Sequence, residues 1–166
     1  ERIRRHGQLI AAIGEGADLR AEGSPLKLSE GERQETLNEL NGDVYLMTPK
    51  NKRTMILLRL DSLLSSGEAV YDFNYIPIEH VLPQNPADDS EWCEWWPDAT
   101  ERANHVHRLG NLALLNRRQN SAASNWDFSK KKTKYFLGRS GSSPFALTTE
   151  VVARDQWRPA DFMERQ

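Results

Sequence analysis

The sequence predicts an α+β domain that is mostly helical and contains one small β-hairpin. Residues 70–78 are rich in aromatic and branched side chains, which favour an extended backbone. Residues 109–115 form a second short apolar run that can return beside the first. Helix start signals surround both runs: Ser29 with Glu32 makes a capping box, and Pro49 suits the first helical position.

The predicted helices begin or end at signals of this kind. They cover the first residues up to the glycines at 14 and 16, residues 29–41, a segment from Pro49 closed by Gly67, residues 98–106 capped by Asp98, a segment from Arg117, residues 128–136, and a last region capped by Thr148 or Thr149. The segment after Pro49 has dense apolar residues, so we expect it to be the most buried helix of the core.

Length and composition indicate an ordinary soluble domain. The chain has 166 residues, of which 38% are hydrophobic and 28% charged. It shows neither a signal peptide nor an apolar run near the roughly 20 residues of a membrane span, so we expect a cytoplasmic protein. The single cysteine, Cys93, excludes an internal disulfide and a paired-cysteine zinc knuckle, so no structural zinc is expected.

The chain is expected to have two parts. Residues 1–27 are predicted to form an N-terminal helix and a linker to an upstream domain, and residues 28–166 are predicted to form the functional domain. The sequence begins without a methionine, which suggests that it is a piece of a longer protein.

Net charge is −2, but the charges are unevenly distributed. Residues 84–101 contain six acids and no bases, whereas residues 102–139 contain nine bases and one acid, Asp127. A polyanionic substrate would lie along the basic block. For a run such as Lys130 to Lys132, the alternative is an ordinary solvated helix face.

Three tryptophans lie in the acidic segment. Trp92, Trp95 and Trp96 could stack on nucleic-acid bases, but the acids around them would repel phosphates. Packing over the core is the favoured interpretation.

Three short polar clusters lie between residues 75 and 132. Glu79 and His80 stand at the end of the first predicted strand, Asn111 stands near the start of the second, and Asn120 follows among basic residues. The nine residues from Asn111 to Asn120 suffice to finish a strand, turn and enter a helix.

These clusters carry a resemblance to a known family. The runs I-E-H-V-L-P-Q, H-R-L-G-N-L-A-L-L and N-S-A-A-S-N-W-D-F-S-K-K-K-T-K-Y-F resemble the HNH, or ββα-metal, nuclease superfamily. Within it they are similar to the C-terminal nuclease domain of modification-dependent restriction proteins such as GmrSD and SspE. The similarity covers residues 32–165 and implies a hairpin-helix metal core inside the helical domain.

The resemblance also implies roles for individual residues. His80 would be the general base, a task that suits imidazole because its ordinary pKa is about 6.5. Asn111 would hold the loop that carries His80, largely through the backbone at the histidine's other nitrogen. Glu79 and Asn120 would ligate Mg²⁺ or Mn²⁺ through oxygen atoms.

Several assignments stay open at this stage. Asn125 is an alternative metal ligand or a helix cap. His105 or His107 could serve as base, touch a phosphate or support the site, and His107 is also an alternative metal ligand. Basic residues in the same region are expected to contact the DNA backbone: Arg108, Arg117, Arg118, Lys130, Lys131 and Lys134.

The implied function is hydrolysis of DNA phosphodiesters, one strand cut per metal site, as the effector of an anti-phage restriction system. Sensing of modified DNA would belong to an upstream ParB-like nucleotide-binding domain. The alternatives are a catalytically silent DNA-binding module and an RNase.

Overall fold

The structure is a computed structural model that describes residues 2–65, 70–71, 76–116, 125–137 and 141–166. It divides into two compact units, Glu1–Glu39 and Leu40–Gln166. The predicted boundary between residues 27 and 28 falls inside the first unit. Within the described ranges, no helix is both long enough and apolar enough to cross a membrane.

The first unit contains helix α1 (Arg2–Gly14) and all but the last residue of α2 (Glu30–Leu40). The predicted capping box forms at the start of α2. The backbone N–H of Ser29 donates to Glu32 Oε2 at 2.8 Å, and that of Glu32 donates to Ser29 Oγ at 3.3 Å. Arg5 of α1 pairs with the same carboxylate at 2.6 Å, so the two helices of this unit are joined at that point.

The second unit alternates short helices with two strands, which agrees with the predicted α+β class. Its elements are α3 (Val44–Met47), α4 (Lys50–Leu64), β1 (Ile78–His80), α5 (Glu91–Trp95), α6 (Ala99–His105), a 3-10 turn (Leu109–Asn111), β2 (Leu112–Leu114), α7 (Phe128–Lys131) with a π-helical continuation (Lys132–Phe136), α8 (Ala146–Val152) and α9 (Pro159–Arg165).

β1 and β2 form an antiparallel pair in which Ile78 lies opposite Leu114 and His80 opposite Leu112. β1 begins at Ile78, so the described residues 70–71 and 76–77 of the predicted strand, 70–78, are not part of it. Pro77 accepts a hydrogen bond from the N–H of the residue after β2 at 2.9 Å, but it has no N–H of its own for a ladder. Residues 72–75 of the predicted strand lie outside the described residues.

The sheet separates two apolar clusters, because alternate residues of β2 face opposite sides. Ala113 belongs to the first cluster with the fully buried rings of Trp92 and Trp96. Leu112 and Leu114 belong to the second cluster. The expectation that the tryptophan segment packs on the core is confirmed.

Helix α4 is less buried than expected. Its buried residues are Leu57 and Asp61, whereas Met55 is 64% exposed and Leu63 58% exposed. The helix contacts α8, where Asp61 accepts a hydrogen bond from the N–H of Leu147 at 2.8 Å. A dense apolar segment therefore does not by itself give a helix neighbours on all sides.

The C-terminal helices cover β2 and the turn before it. Thr148 was expected to cap the last helical region, but it lies inside α8 and is buried, and its hydroxyl donates to the carbonyl of Leu114 at 2.7 Å. Gly110 lies against α9 so closely that a Cβ atom would stand 2.9 Å from atoms of Phe162 and Gln166. The position and burial of β2 therefore depend on the end of the chain.

Candidate active site

β1 ends at an open pocket of about 340 Å³. Its last two residues, Glu79 and His80, both line this pocket. The lining side chains come from several segments of the second unit: Tyr45, Ile78, Glu79, His80, Pro83, Gln84, Asn85, Asn125 and Tyr135. The fold therefore brings three of the predicted site residues, Glu79, His80 and Asn125, to one cavity.

Asn111 lies behind the pocket and holds the loop that follows β1. Its side chain is fully buried. The amide oxygen accepts from the N–H of Leu82 at 2.7 Å, and the amide nitrogen donates to the carbonyls of Leu82 and Val106, both at 2.9 Å. The backbone carbonyl of Asn111 also accepts from the N–H of Val81 at 2.8 Å. The predicted grip on the loop is present, but it acts on residues after His80 and not on the histidine's second nitrogen.

The two ring nitrogens of His80 contact side chains. Nδ1 lies 3.2 Å from the amide nitrogen of Gln84, and Nε2 lies 3.3 Å from Nδ1 of His107. An amide nitrogen donates and does not accept, so Nδ1 of His80 is the acceptor and the ring proton is on Nε2. Burial, followed by the charges near the ring, lowers the pKa of His80 to about 3. The imidazole is therefore neutral at physiological pH.

Aromatic and cationic groups surround this histidine. The ring of Tyr45 stands edge-on to His80 with centroids 4.3 Å apart and stacks on His107 at 5.7 Å. The guanidinium of Arg53 lies 4.1 Å from the Tyr45 centroid and donates to the Tyr45 carbonyl. Burial also lowers the pKa of His107, against the opposing effect of Asp43. Sequence reasoning missed Tyr45 and Arg53, because neither lies in a recognisable motif.

Glu79 is held by a different kind of neighbour. Lys131 Nζ lies 3.0 Å from Glu79 Oε1, and the hydroxyl of Tyr135 donates to Oε2 at 3.1 Å. Lys131 is fully buried and also donates to the carbonyls of His80 and Val81. Burial lowers the pKa of Lys131 to about 8, while Glu79 acts to raise it.

The burial of Lys131 corrects its predicted role. This lysine was expected to contact the DNA backbone, but its ammonium group faces Glu79 and two carbonyl groups inside the domain. A phosphate in solvent does not reach a side chain with no exposed surface. By contrast, Lys130 and Lys134 are exposed, and Lys130 Nζ lies 4.2 Å from the ring centroid of Trp126. These two lysines remain compatible with the predicted contact.

The structure describes only some of the other predicted site residues. Asn125 is exposed and lines the pocket, whereas Asn120, Arg117 and Arg118 lie outside the described residues. The choice between Asn120 and Asn125 as metal ligand therefore stays open. Arg108 is partly buried, and its Nε has no hydrogen-bond partner among the described residues.

His105 is separate from the pocket. Its ring packs on Phe162 with centroids 4.9 Å apart and on Trp96 at 5.6 Å. Its Nδ1 lies 2.7 Å from the carbonyl of Glu101 in the same helix, α6. Of the two open alternatives, only His107 stands beside His80, and His105 is part of the core packing.

The donor types in the pocket fit a hard divalent cation. Glu79 provides a carboxylate and Asn125 an amide oxygen, both ligand types that such ions take. Each Glu79 oxygen accepts one hydrogen bond, which leaves it a free lone pair. Among the described residues there is no group of three or more histidine, cysteine or acidic side chains placed to hold an ion, so water and substrate oxygens would have to complete the coordination.

The fold and the pocket define a class: an α+β domain with a histidine–carboxylate site at the end of a two-stranded antiparallel sheet. The family model of the GmrSD restriction endonucleases, C-terminal domain, matches residues 31–166, and the chain belongs to this family. Membership implies a nuclease of the restriction endonuclease type, with DNA as substrate. The resemblance to the GmrSD C-terminal domain, which the motifs predicted, is thereby confirmed. No curated protein and no solved structure matches the chain.

Proposed function

We propose that this domain is a metal-dependent HNH endonuclease that hydrolyses DNA phosphodiesters. The observation that carries the proposal is the convergence of His80 and Glu79 on one open pocket, with the imidazole held between Gln84 and His107. In this proposal β1, β2 and α7 with its π-helical continuation are the ββα-metal core. Family membership supports the reaction class.

His80 is the general base of the proposed mechanism. Its Nδ1 is the unprotonated nitrogen and accepts from the exposed amide of Gln84, so an attacking water would take the place of that amide. The water oxygen attacks phosphorus, its proton passes to Nδ1, and the bond from phosphorus to the 3′ oxygen breaks. The products are a 5′-phosphate and a 3′-hydroxyl, the latter protonated from solvent.

His107 and Asn111 are positioning residues for this base. The His107 ring accepts from Nε2–H of His80, so it selects the tautomer in which Nδ1 is unprotonated. Asn111 holds the loop after His80 through three side-chain hydrogen bonds. An imidazole transfers protons efficiently only when both its tautomer and its orientation are set.

Glu79 would hold the ion, together with Asn120 or Asn125. A bound Mg²⁺ or Mn²⁺ neutralises charge on the phosphate and on the departing oxygen. Lys131 and Tyr135 orient the Glu79 carboxylate from behind, since each contacts a different oxygen. A single ion per domain predicts one strand cut per visit, that is, a nick.

The biological role in this proposal is restriction of phage or foreign DNA. The domain would contact the DNA backbone through exposed lysines such as Lys130 and Lys134, with little reading of bases. Sensing of the modification, and the upstream ParB-like nucleotide-binding domain that would perform it, belong to the same proposal.

A plasmid nicking assay with Mg²⁺ or Mn²⁺ tests the reaction. We expect His80→Ala to slow nicking by about 10²- to 10⁴-fold, the usual contribution of a general base. His6→Ala is the matched control, because His6 is an exposed histidine of the first unit. If the parent protein binds DNA but never nicks it with either ion, the alternative of a silent binding module replaces the enzyme.

The same assay on a structured RNA tests the remaining alternative. Hydrolysis by His80 does not depend on which sugar carries the phosphate, so the pocket chemistry alone does not separate a DNase from an RNase. Cleavage of RNA in preference to DNA would overturn the choice of substrate while keeping the mechanism.

A further inference from the structure

A second pocket adjoins the first and shares two of its residues. It has a volume of about 240 Å³ and is lined by Tyr45, Lys50, Arg53, Thr54, Ile76, Pro77 and Ile78. Tyr45 and Ile78 also line the pocket that contains Glu79 and His80. A polymer bound in the first pocket would therefore pass directly to the second across these two side chains.

The polar lining of the second pocket comes from one face of α4. Lys50, Arg53 and Thr54 are spaced by three and four residues, which places them side by side on a helix. They contribute two cations, whereas the hydroxyl of Thr54 donates to the carbonyl of Lys50 at 3.0 Å. The residues that line this pocket include no acid. Cations and hydroxyl groups are the side chains that bind phosphate oxygens in protein–DNA complexes.

The guanidinium of Arg53 is held in place before any ligand arrives. It lies 4.1 Å from the ring centroid of Tyr45 and donates to the Tyr45 carbonyl. Its Nε is buried and has no hydrogen-bond partner within the described part of the chain. A cation already held in one place suits an anionic ligand, because less conformational freedom is lost when the ligand binds.

Two contacts of the Tyr45 ring limit the distance between the Arg53 guanidinium and His80, the proposed base. The Tyr45 centroid is 4.1 Å from Arg53 Cζ and 4.3 Å from the His80 centroid, so the guanidinium carbon and the imidazole are at most about 8.4 Å apart. One strand of B-form DNA carries a phosphate roughly every 3.4 Å along the helix axis. Successive phosphates are farther apart in space than this rise because the strand winds around the axis, so the limit of about 8.4 Å accommodates a phosphate adjacent to the reacting one.

We propose that Lys50 and Arg53 bind this neighbouring phosphate of the same DNA strand. The inference rests on the proposed nuclease function, and it gives that function a substrate subsite outside the motif residues. The strand would cross the Tyr45 ring between the two pockets, with its reacting phosphate near His80.

The test uses the salt dependence of DNA binding in EDTA, where the proposed cleavage cannot proceed. The probe is a short fluorescein-labelled DNA duplex, and Lys50→Gln is compared with Lys52→Gln. Lys52 is an exposed lysine of the same helix that does not line the pocket, and the two variants change the net charge equally. The slope of log K against log salt is negative, and each lost phosphate contact reduces its magnitude by about 1. We expect this decrease for Lys50→Gln and no change for Lys52→Gln.

Arg53→Gln is the second variant and should also reduce the magnitude of the slope by about 1. Nicking kinetics give an independent readout, because loss of a binding contact should raise the KM of Lys50→Gln and leave its kcat close to the parent value. Equal slopes for Lys50→Gln and Lys52→Gln, or a parent protein that does not bind the duplex, would overturn the subsite. A slope of smaller magnitude for Lys50→Gln with no nicking by any variant would support the subsite and reject the enzyme.

Discussion

The two walls of the main pocket hold neighbouring residues of β1 by opposite means. On one wall, Glu79 is paired with the ammonium of Lys131 and accepts a hydrogen bond from Tyr135. On the other wall, His80 packs edge-on against the rings of Tyr45 and His107, and burial lowers its pKa to about 3. One step along the strand therefore separates a charged group from a neutral one.

This difference shows how the surroundings of each side chain in the pocket set its charge state. The three protons of Lys131 have three acceptors, Glu79 and the carbonyls of His80 and Val81. A buried ion pair is tolerated only when its remaining hydrogen bonds are made in this way. His80 lacks such a partner, and a buried cation without one is unfavourable. Four predictions test the contrast.

The largest effect is expected on the charged wall. Lys131→Met leaves Glu79 and two carbonyls without their donor, which should lower the free energy of unfolding by about 3 to 5 kcal/mol. Urea unfolding followed by tryptophan fluorescence measures the loss. Lys130→Met is the control, because Lys130 is exposed and adjacent in sequence. The double variant Glu79→Gln, Lys131→Met should recover part of the loss; simple additivity of the two single effects would contradict the coupling.

The second-largest effect is expected for Asn111, which lies behind the pocket and holds the loop after β1. Asn111→Ala removes three hydrogen bonds and leaves buried backbone groups of Leu82 and Val106 unpaired. We expect a loss of about 2 kcal/mol in unfolding free energy, together with loss of nicking. Asn116→Ala, at an exposed position just after the sheet, serves as control. An unfolding midpoint for Asn111→Ala equal to that of the control would show that the loop does not need this amide.

A smaller effect is expected at the wall where His80 contacts Tyr45 and His107. His107→Ala removes one hydrogen bond, which should cost about 1 kcal/mol of stability and slow nicking by roughly tenfold. The readout specific to positioning is the tautomer of His80, observed by long-range ¹H–¹⁵N NMR. The parent should show one tautomer with the proton on Nε2, and the variant a mixture. A single unchanged tautomer in the variant would reject the positioning role of His107.

The smallest effect is expected for the ion pair of the first unit, which is open to solvent. The hydrogen bond from Arg5 is the main cause that lowers the pKa of Glu32 to about 2. Because the folded pKa is depressed, the stabilisation is complete above the ordinary value of 4.5 and disappears as the pH falls from there towards 2. Arg5→Gln should raise the titration midpoint of Glu32 in carboxyl ¹³C NMR. A midpoint that does not move would mean that the Ser29 contacts suffice.

Much of the site was predictable because its parts lie in short motifs. Glu79 and His80 are adjacent, and Asn111 stands in the run that forms β2, so local sequence located all three. Lys131 was placed wrongly, because a basic run does not show which of its members turns inward. Tyr45, Gln84 and Tyr135 were missed, since their residue types have no meaning for the site until the chain has folded around it.

Sequence alone determined the α+β class, the family and the pair of side chains at the end of the first strand, because these follow from local propensity and from motifs a few residues long. Only the tertiary structure decided which cation is buried, which histidine stands beside His80 and which nitrogen of His80 is unprotonated. Charge state depends on desolvation and on partners that are distant in the chain, such as Tyr135, which is 56 positions from Glu79. Such contacts exist only after the elements have packed.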